Sequence, residues 1–358
     1  MSLRVVFSGG ATLGPVTPLL AVAEALRHRQ PDVAFWWLGT TTGPEGQLVS
    51  AAGIPFQAIA SGKLRRYVSW RNLIDPLFVA IGFFQSLYWL KKWRPDVVVS
   101  AGGFVAVPVS FAAWLLRIPV MIHQQDVMPG LSNRMIAPLA RAITVALEES
   151  RQYFLAKKVT VVGNPVRASI LIGDANRARL TFHLQQNLPT VLILGGGTGS
   201  LTINQAVVDA LPELSLFCQI IHITGHDRDV PPATPTDHYH PFHLLANQLA
   251  DAFAVADLVV SRAGFSTLSE LAALAKPAII IPLAGHQEAN ADYFARRNAV
   301  ALMSDETLDG PALVAAIRQL LSNDIERQRL SSAIKTVLPT TTAAGALADV
   351  IFSLKSPS

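Results

Sequence analysis

Short apolar, β-branched runs alternate with longer segments of helical periodicity along the whole chain. In the first half, Arg4–Phe7, Val33–Leu38, Val97–Ser100, Val120–His123, Ile143–Val145 and Val159–Val162 read as strands. Pro15–Arg29, Leu73–Trp93 and Val105–Leu116 read as helices between them. A βαβα rhythm of nearly unbroken apolar strands predicts a parallel sheet with helices on both faces. A second series starts at Thr190–Leu194 and continues with Gln219–Thr224, Leu258–Ser261 and Ala278–Pro282 as strands. Its helices are Asn204–Leu211, Gln248–Ala256, Thr267–Leu274 and Glu288–Asn298. The polar stretch from about Gly163 to Pro189 shows no strand pattern and separates the two series. The expected fold class is therefore α/β, with two doubly wound parallel-sheet domains over residues 1–163 and 164–340. A last helix over 341–356 is expected to return to the first domain.

Composition narrows the function classes. The chain has 358 residues, 51% hydrophobic and 15% charged, which excludes intrinsic disorder. A single cysteine, Cys218, excludes a disulfide framework and a Cys-based zinc site. A net charge of +4 does not call for a nucleic-acid partner. Two nearly uncharged stretches, Leu77–Leu90 and Phe104–Leu116, fall short of the roughly 20 residues that span a bilayer. The first residues, Met1 to Phe7, are too short and strand-like for a signal peptide.

Residues 61–94 carry Lys63, Arg65, Arg66, Arg71, Lys91, Lys92 and Arg94 against the single acid Asp75. Trp70, Phe78, Phe83, Phe84, Tyr88, Trp89 and Trp93 lie among them. One reading is a helix with an aromatic face and basic ends resting on an anionic membrane surface. The other is a crossover helix that packs its aromatics on the sheet. Taken singly, most of the aromatics fit the second; the patch as a whole fits the first. The membrane candidates are Lys63, Arg65, Arg66, Trp70, Phe78, Trp89, Lys91 and Lys92.

Two glycine-rich turns follow strands and precede helices: Gly9-Gly10-Ala11-Thr12-Leu13-Gly14 and Gly195-Gly196-Gly197-Thr198-Gly199-Ser200. Such turns let a backbone approach a phosphate and present helix N–H groups to it. A dinucleotide site would add an acid at the end of the second strand, which here ends Trp37-Leu38-Gly39-Thr40-Thr41, so NAD is disfavoured. Further along, Ser261-Arg262-Ala263-Gly264-Phe265-Ser266-Thr267 leads into a helix carrying Glu270. Pro282-Leu283-Ala284-Gly285-His286-Gln287-Glu288-Ala289-Asn290 follows the next strand. Ligands bind at the carboxyl ends of parallel strands, so Glu270, His286, Gln287 and Asn290 are expected to face one site. His238-Tyr239-His240 with His243 reads as a solvated loop rather than a zinc site, and no metal or cofactor is expected.

The Arg262–Glu270 and Gly285–Ala291 segments resemble the nucleotide-sugar signature of GT-B glycosyltransferases, most closely the MurG family. Gly39-Thr40…Glu45, Ser61-Gly62-Lys63-Leu64-Arg65-Arg66, Gly102-Gly103-Phe104, His123-Gln124-Gln125 and Gly130-Leu131-Ser132-Asn133 agree in order. Gly163-Asn164-Pro165-Val166-Arg167 and Asn204-Gln205 extend the likeness over nearly the whole chain. The resemblance implies two Rossmann-like domains facing a cleft. It implies an inverting transferase that moves GlcNAc from UDP-GlcNAc to the MurNAc 4-hydroxyl of lipid I, giving lipid II for peptidoglycan. Gly196, Thr198, Gly199, Ser200, Asn204, Arg262, Gly264, Ser266, Thr267, Glu270, His286, Gln287 and Asn290 would hold the donor. Within that set, Glu270 takes the ribose, Gln287 and Asn290 the sugar, and uracil lies by Leu244–Leu249. Gly9, Gly10, Thr12, Gly14, Gly103, Asn133 and Arg167 would face the undecaprenyl-linked acceptor and its diphosphate. The basic aromatic region would rest on the cytoplasmic side of the bacterial membrane.

Two departures touch the chemistry. Pro15 precedes Val16-Thr17-Pro18 where the family has a His, in a turn one residue longer. Gln124 and Asp126 stand where the family has Glu and Asn. His123 and Asp126 are the candidate bases; His123 reads alternatively as a buried histidine at a strand end. The rival functions are another sugar-nucleotide enzyme on this fold, such as one with a different lipid acceptor or a UDP-GlcNAc epimerase, and a UDP-sugar-binding homologue without turnover.

Overall fold

The computed structural model describes residues 2–62, 71–196, 199–225, 236–245 and 248–355. The chain divides into two compact units, Met1–Arg167 with Pro339–Ser358, and Ala168–Leu338.

The first unit is built on seven parallel strands: β1 (Arg4–Ser8), β2 (Ala34–Gly39), β3 (Phe56–Ala58), β4 (Val97–Ser100), β5 (Val120–Gln124), β6 (Ala142–Val145) and β7 (Val159–Val161). Their order is β3-β2-β1-β4-β5-β6-β7. Alternate residues of β1 serve opposite faces, as strand geometry requires. Val5 and Phe7 join Leu19, Val22 and Leu26 of the helix Thr17–Arg29 and Leu347, Ala348 and Ile351 of Ala343–Leu354. Val6 faces Val105, Ala106 and Val109 beside the helix Ala106–Leu115, and Leu90 of the helix Arg71–Trp93. Burying each such side chain contributes about 1.5–3 kcal/mol. The chain crosses between units where Asn164 N–H donates to the Pro339 carbonyl at 3.0 Å, and Gly163 lies against that same carbonyl. These ties hold Gly163–Arg167 to the first unit, so the division falls a few residues beyond 163.

The helix Arg71–Trp93 contains Pro76, as does the expected helix Leu73–Trp93. A proline there removes one early backbone bond, which a helix of 23 residues tolerates. Gly82 faces inward: a Cβ on it would stand 2.0 Å from the Ala60 carbonyl. That approach fixes the rotation of the helix.

The second unit has six parallel strands: β8 (Thr190–Leu194), β9 (Gln219–Ile223), β10 (Tyr239–Phe242), β11 (Leu258–Ser261), β12 (Ala278–Ile280) and β13 (Ala301–Leu302). The order is β10-β9-β8-β11-β12-β13. Val191, Ile193 and Val260 pack on Ile203, Val207 and Leu211 of the helix Leu201–Leu214 and on Leu313 and Ile317 of Gly310–Leu321. The histidine-rich segment read as a solvated loop includes β10, an edge strand paired with β9 from Tyr239↔Ile220 to Phe242↔Ile223. Pro241 suits an edge, where a missing donor costs no ladder bond on the outer side. His238 Nδ1 lies 2.7 Å from the Ser215 carbonyl, so that histidine is committed to the fold.

Candidate active site

Each sheet reverses its winding beside its first strand. In the second unit the reversal lies between β8 and β11, and the loops leaving these two strands are the natural ligand position. The loop after β8 is the second glycine-rich turn. Gly196 and Gly199 have φ of +87° and +75°, values that favour glycine, and a Cβ on Gly199 would stand 2.1 Å from the Thr224 carbonyl. Ser200 then caps the helix Leu201–Leu214, its Oγ accepting from Ile203 N–H at 3.4 Å. Asn204, a turn later, donates to the Thr224 carbonyl at 3.0 Å and faces His222 Nε2 at 3.1 Å. Thr198 lies outside the described residues.

Arg262, just after β11, ties the two loops together. Its Nη2 donates to Ser200 Oγ at 2.6 Å, and its Nη1 to Asp305 Oδ1 at 2.7 Å and the Ile281 carbonyl at 3.1 Å. The residue is 3% exposed, and its Nε is buried without a hydrogen-bond partner among the described residues. Asp305 supplies the negative charge that a buried guanidinium requires, while the unmet Nε donor stays costly. Gly264 caps the helix Phe265–Leu274 with no side-chain bond, and a Cβ on it would meet open space. Half-buried Ser266 and Thr267 and buried Glu270 follow on that helix.

The loop after β12 is shaped internally. Leu283 N–H donates to Gln287 Oε1 at 3.1 Å, leaving the NH2 as the donor end of that side chain. Gly285 N–H donates to Glu288 Oε2 at 2.8 Å, starting the helix His286–Ala295. His286 is exposed, whereas Asn290 is fully buried and donates to the Ala263 carbonyl at 3.2 Å. The structure thus brings Ser200, Arg262, Gly264, Glu270, Gln287 and Asn290 to one edge of one sheet. It gives Asn290 a part in holding the Arg262–Gly264 turn.

In the first unit the reversal lies between β1 and β4. Gly103, at φ +87°, lies with its Cβ position 3.0 Å from the Gly10 carbonyl, so the two loops touch. The Trp37 indole donates to the Gly9 carbonyl at 2.9 Å, and Gln125 Nε2 to the Gly14 carbonyl at 3.2 Å. Thr12 is exposed and Arg167 half-buried. Gln124 Nε2 donates to the Asp126 and Met128 carbonyls at 2.8 and 3.3 Å, so its Oε1 must accept the 2.7 Å bond from Asn133 Nδ2. Asn133 Oδ1 is left buried without a partner among the described residues.

The two candidate bases differ. His123 is sealed in the sheet, with Nδ1 3.0 Å from Thr144 Oγ1 and Nε2 2.9 Å from Asn164 Oδ1. That is the buried strand-end alternative, and both ring nitrogens are occupied. Asp126 is half-buried, in a loop whose backbone is pinned by Gln124 and by the Ser150 hydroxyl.

Family models match most of both units. The glycosyltransferase family 28 N-terminal domain covers residues 5–145, and the family 28 C-terminal domain covers residues 190–341. The chain belongs to glycosyltransferase family 28. Among its family 28 relatives is the UDP-N-acetylglucosamine–N-acetylmuramyl-(pentapeptide) pyrophosphoryl-undecaprenol N-acetylglucosamine transferase of Legionella pneumophila (strain Paris). The two are 36% identical over 341 residues, which is 94% of this chain and 93% of that protein. The protein of the same name from Lachnospira eligens is 37% identical, over 89% of this chain and 91% of its own length. Among solved structures, Acinetobacter baumannii MurG superposes with a TM-score of 0.70 at 25% identity, covering 98% of this chain and 99% of its own. The kitacinnamycin glycosyltransferase superposes with a TM-score of 0.76 at 17% identity, covering 99% of this chain and 100% of its own, a likeness of fold alone.

The family 28 first unit also presents an apolar face that periodicity only half showed. With Gly82 inward, the helix Arg71–Trp93 exposes Leu77, Phe78, Ile81, Phe84 (67% exposed) and Tyr88. Lys91 and Lys92 are exposed at its end. Phe111, Trp114 and Leu115 of the packed neighbour Ala106–Leu115 are exposed as well. Trp89 is half-buried and stacks on Trp93 at 4.9 Å, and Trp93 stacks on Trp36. Lys63, Arg65, Arg66 and Trp70 lie outside the described residues. Among the described residues, no helix is long and apolar enough to cross a membrane.

His222 and Asp305 carry no signal in the sequence, because only the folded chain sets them beside Asn204 and Arg262. His222 Nδ1 lies 3.0 Å from the Tyr239 hydroxyl. Burial pushes both His123 and His222 down to about 4 from the usual 6.5. Their folded values lie below the unfolded one, so between those limits the unfolded chain binds more protons. Stability is therefore expected to fall as pH drops from about 6.5 towards 4. The urea midpoint should be lower at pH 5 than at pH 7, and the gap smaller in a His123→Gln/His222→Gln variant. An unchanged gap would remove these two histidines as its source.

Proposed function

We propose that the chain is an inverting hexosyltransferase that moves GlcNAc from UDP-GlcNAc to the 4-hydroxyl of MurNAc in an undecaprenyl-pyrophosphoryl acceptor. The observation that carries this reading is Arg262, a buried cation between the loops of β8 and β11 that pairs with Asp305 and keeps an unmet Nε donor. The donor diphosphate would add acceptors beside that cation. The acceptor oxygen attacks the anomeric carbon from the face opposite the leaving group. The bond from that carbon to UDP breaks, and its electron pair passes to the diphosphate. Arg262 and the N-termini of Leu201–Leu214 and Phe265–Leu274 stabilise the developing charge. Glu270 accepts from the ribose hydroxyls. The 4-hydroxyl proton goes to Asp126, since His123 is sealed and Pro15 has no proton-accepting group. Asn133 and the Gly9–Gly14 turn face the acceptor.

An assay with UDP-GlcNAc and a lipid I analogue tests the reading. Transfer of the sugar supports it. Epimerised or hydrolysed sugar assigns a different sugar-nucleotide activity, and binding without turnover assigns a UDP-sugar-binding protein.

The acceptor is membrane-anchored, and the Leu77–Tyr88 face with Trp114 and the basic end at Lys91 and Lys92 suits contact with the anionic cytoplasmic face of a bacterial membrane. Each basic residue near such a surface contributes about 1 kcal/mol. Reversing Lys91, Lys92 and Arg94 to Glu is expected to lower co-sedimentation with anionic vesicles markedly while leaving the thermal midpoint in place. Equal co-sedimentation of variant and parent would count against membrane contact here.

A further inference from the structure

Glu45 is a fully buried carboxylate that the proposed chemistry does not use. It opens the helix Glu45–Ala51 after β2, and its side chain reaches back to the end of that strand and across to the first glycine-rich turn. Oε1 accepts from the Thr40 N–H at 2.7 Å and the Thr40 hydroxyl at 2.5 Å. Oε2 accepts from the Ala11 N–H at 3.3 Å. The Thr40 hydroxyl itself accepts from Gly43 N–H at 3.0 Å, which commits its proton to Glu45. Every partner is a donor. A carboxylate meets three donors with acceptors alone, whereas an amide would set its own NH2 against one of them.

The surroundings are cut to fit this group. A Cβ at Gly10 would stand 2.1 Å from Oε1, and one at Gly43 1.8 Å from Oε2. Ala11 has φ +71°, a left-handed conformation that is strained for a non-glycine residue and persists only under outside constraint. Trp37 holds the turn at Gly9 and Gln125 holds it at Gly14. Glu45 holds the strained middle.

We infer that Glu45 is a positioning residue for acceptor binding: its buried carboxylate locks Ala11, and with it the Gly9–Gly14 turn, in the shape that receives the lipid-linked substrate. This inference rests on the proposed assignment of that turn to the acceptor.

Glu45→Gln and Gly43→Ala test it in the full chain. The second displaces Oε2, the oxygen that accepts from Ala11, by a change outside the turn, and stands in if the first does not fold. KM for the lipid I analogue should rise about tenfold, the size of one lost hydrogen bond to a charged group. KM for UDP-GlcNAc should change less than twofold. Amide exchange at Ala11 should quicken about tenfold, with β1 and β2 still protected. Equal changes in both KM values, or unchanged exchange at Ala11, would overturn the inference. Absence of transfer by the unmodified chain would instead overturn the functional assignment, and the exchange measurement would still judge the hold of Glu45 on the turn.

Discussion

Glu270→Ala is expected to weaken UDP-GlcNAc binding at least tenfold. Glu270 lies one turn into Phe265–Leu274, a helix whose first residue follows Gly264, where an added Cβ would meet open space. Its side chain is buried, so a ligand hydroxyl meets a carboxylate that water screens little. Hydrogen bonds to a charged group contribute about 1.5–3 kcal/mol, and a ribose diol offers two donors. The loss should appear as weaker affinity in calorimetry for both UDP-GlcNAc and UDP, because both carry the ribose. Glu270→Gln keeps an acceptor and should fall between the two. Unchanged affinity in the alanine variant would remove Glu270 from the site.

Arg262→Met carries the other large effect, a fall in kcat of about 10²–10³, the usual cost of removing a preorganised group facing developing charge. Methionine keeps much of the apolar stem and removes the fork that joins Ser200, Asp305 and the Ile281 carbonyl. Some stability is lost too, since Asp305 and Ser200 lose their partner. The thermal midpoint therefore has to be read beside single-turnover rates at saturating donor. Arg262→Lys should recover little, because one ammonium cannot reach three acceptors held by a planar group. A kcat near the parent's in either variant would show that Arg262 holds the loops together and does not face the leaving group.

Much of this was legible in the chain. Val97–Ser100 and Leu258–Ser261 are continuous apolar runs because their strands are covered on both faces, and such runs can be read without a structure. Phe56–Ala58 and Ala301–Leu302 are too short to leave a pattern. Tyr239–Phe242 looks like a loop because His240 and Pro241 break the apolar pattern, and Pro241 fits an edge strand. The two glycine-rich turns and the Arg262–Asn290 constellation were readable as motifs, since backbone approach to a ligand demands particular residues at fixed spacing. Their partners were not. His123 read as a base or, with more weight, as a buried histidine, and Thr144 and Asn164, distant in sequence, occupy its two nitrogens.

By itself, then, the sequence determined the α/β class, the two strand series and the loops proposed to carry the chemistry, because all of these follow from local periodicity and local backbone demands. Only the tertiary structure decided which side chains are sealed and which are presented. Gly82 against the Ala60 carbonyl turns Phe84 outward, while stacking on Trp93 holds Trp89 half-buried. Asp305 reaches Arg262 across 43 positions, and Glu45 reaches Ala11 across 34. Burial and hydrogen-bond pairing depend on which elements the fold brings together, and no local pattern encodes that.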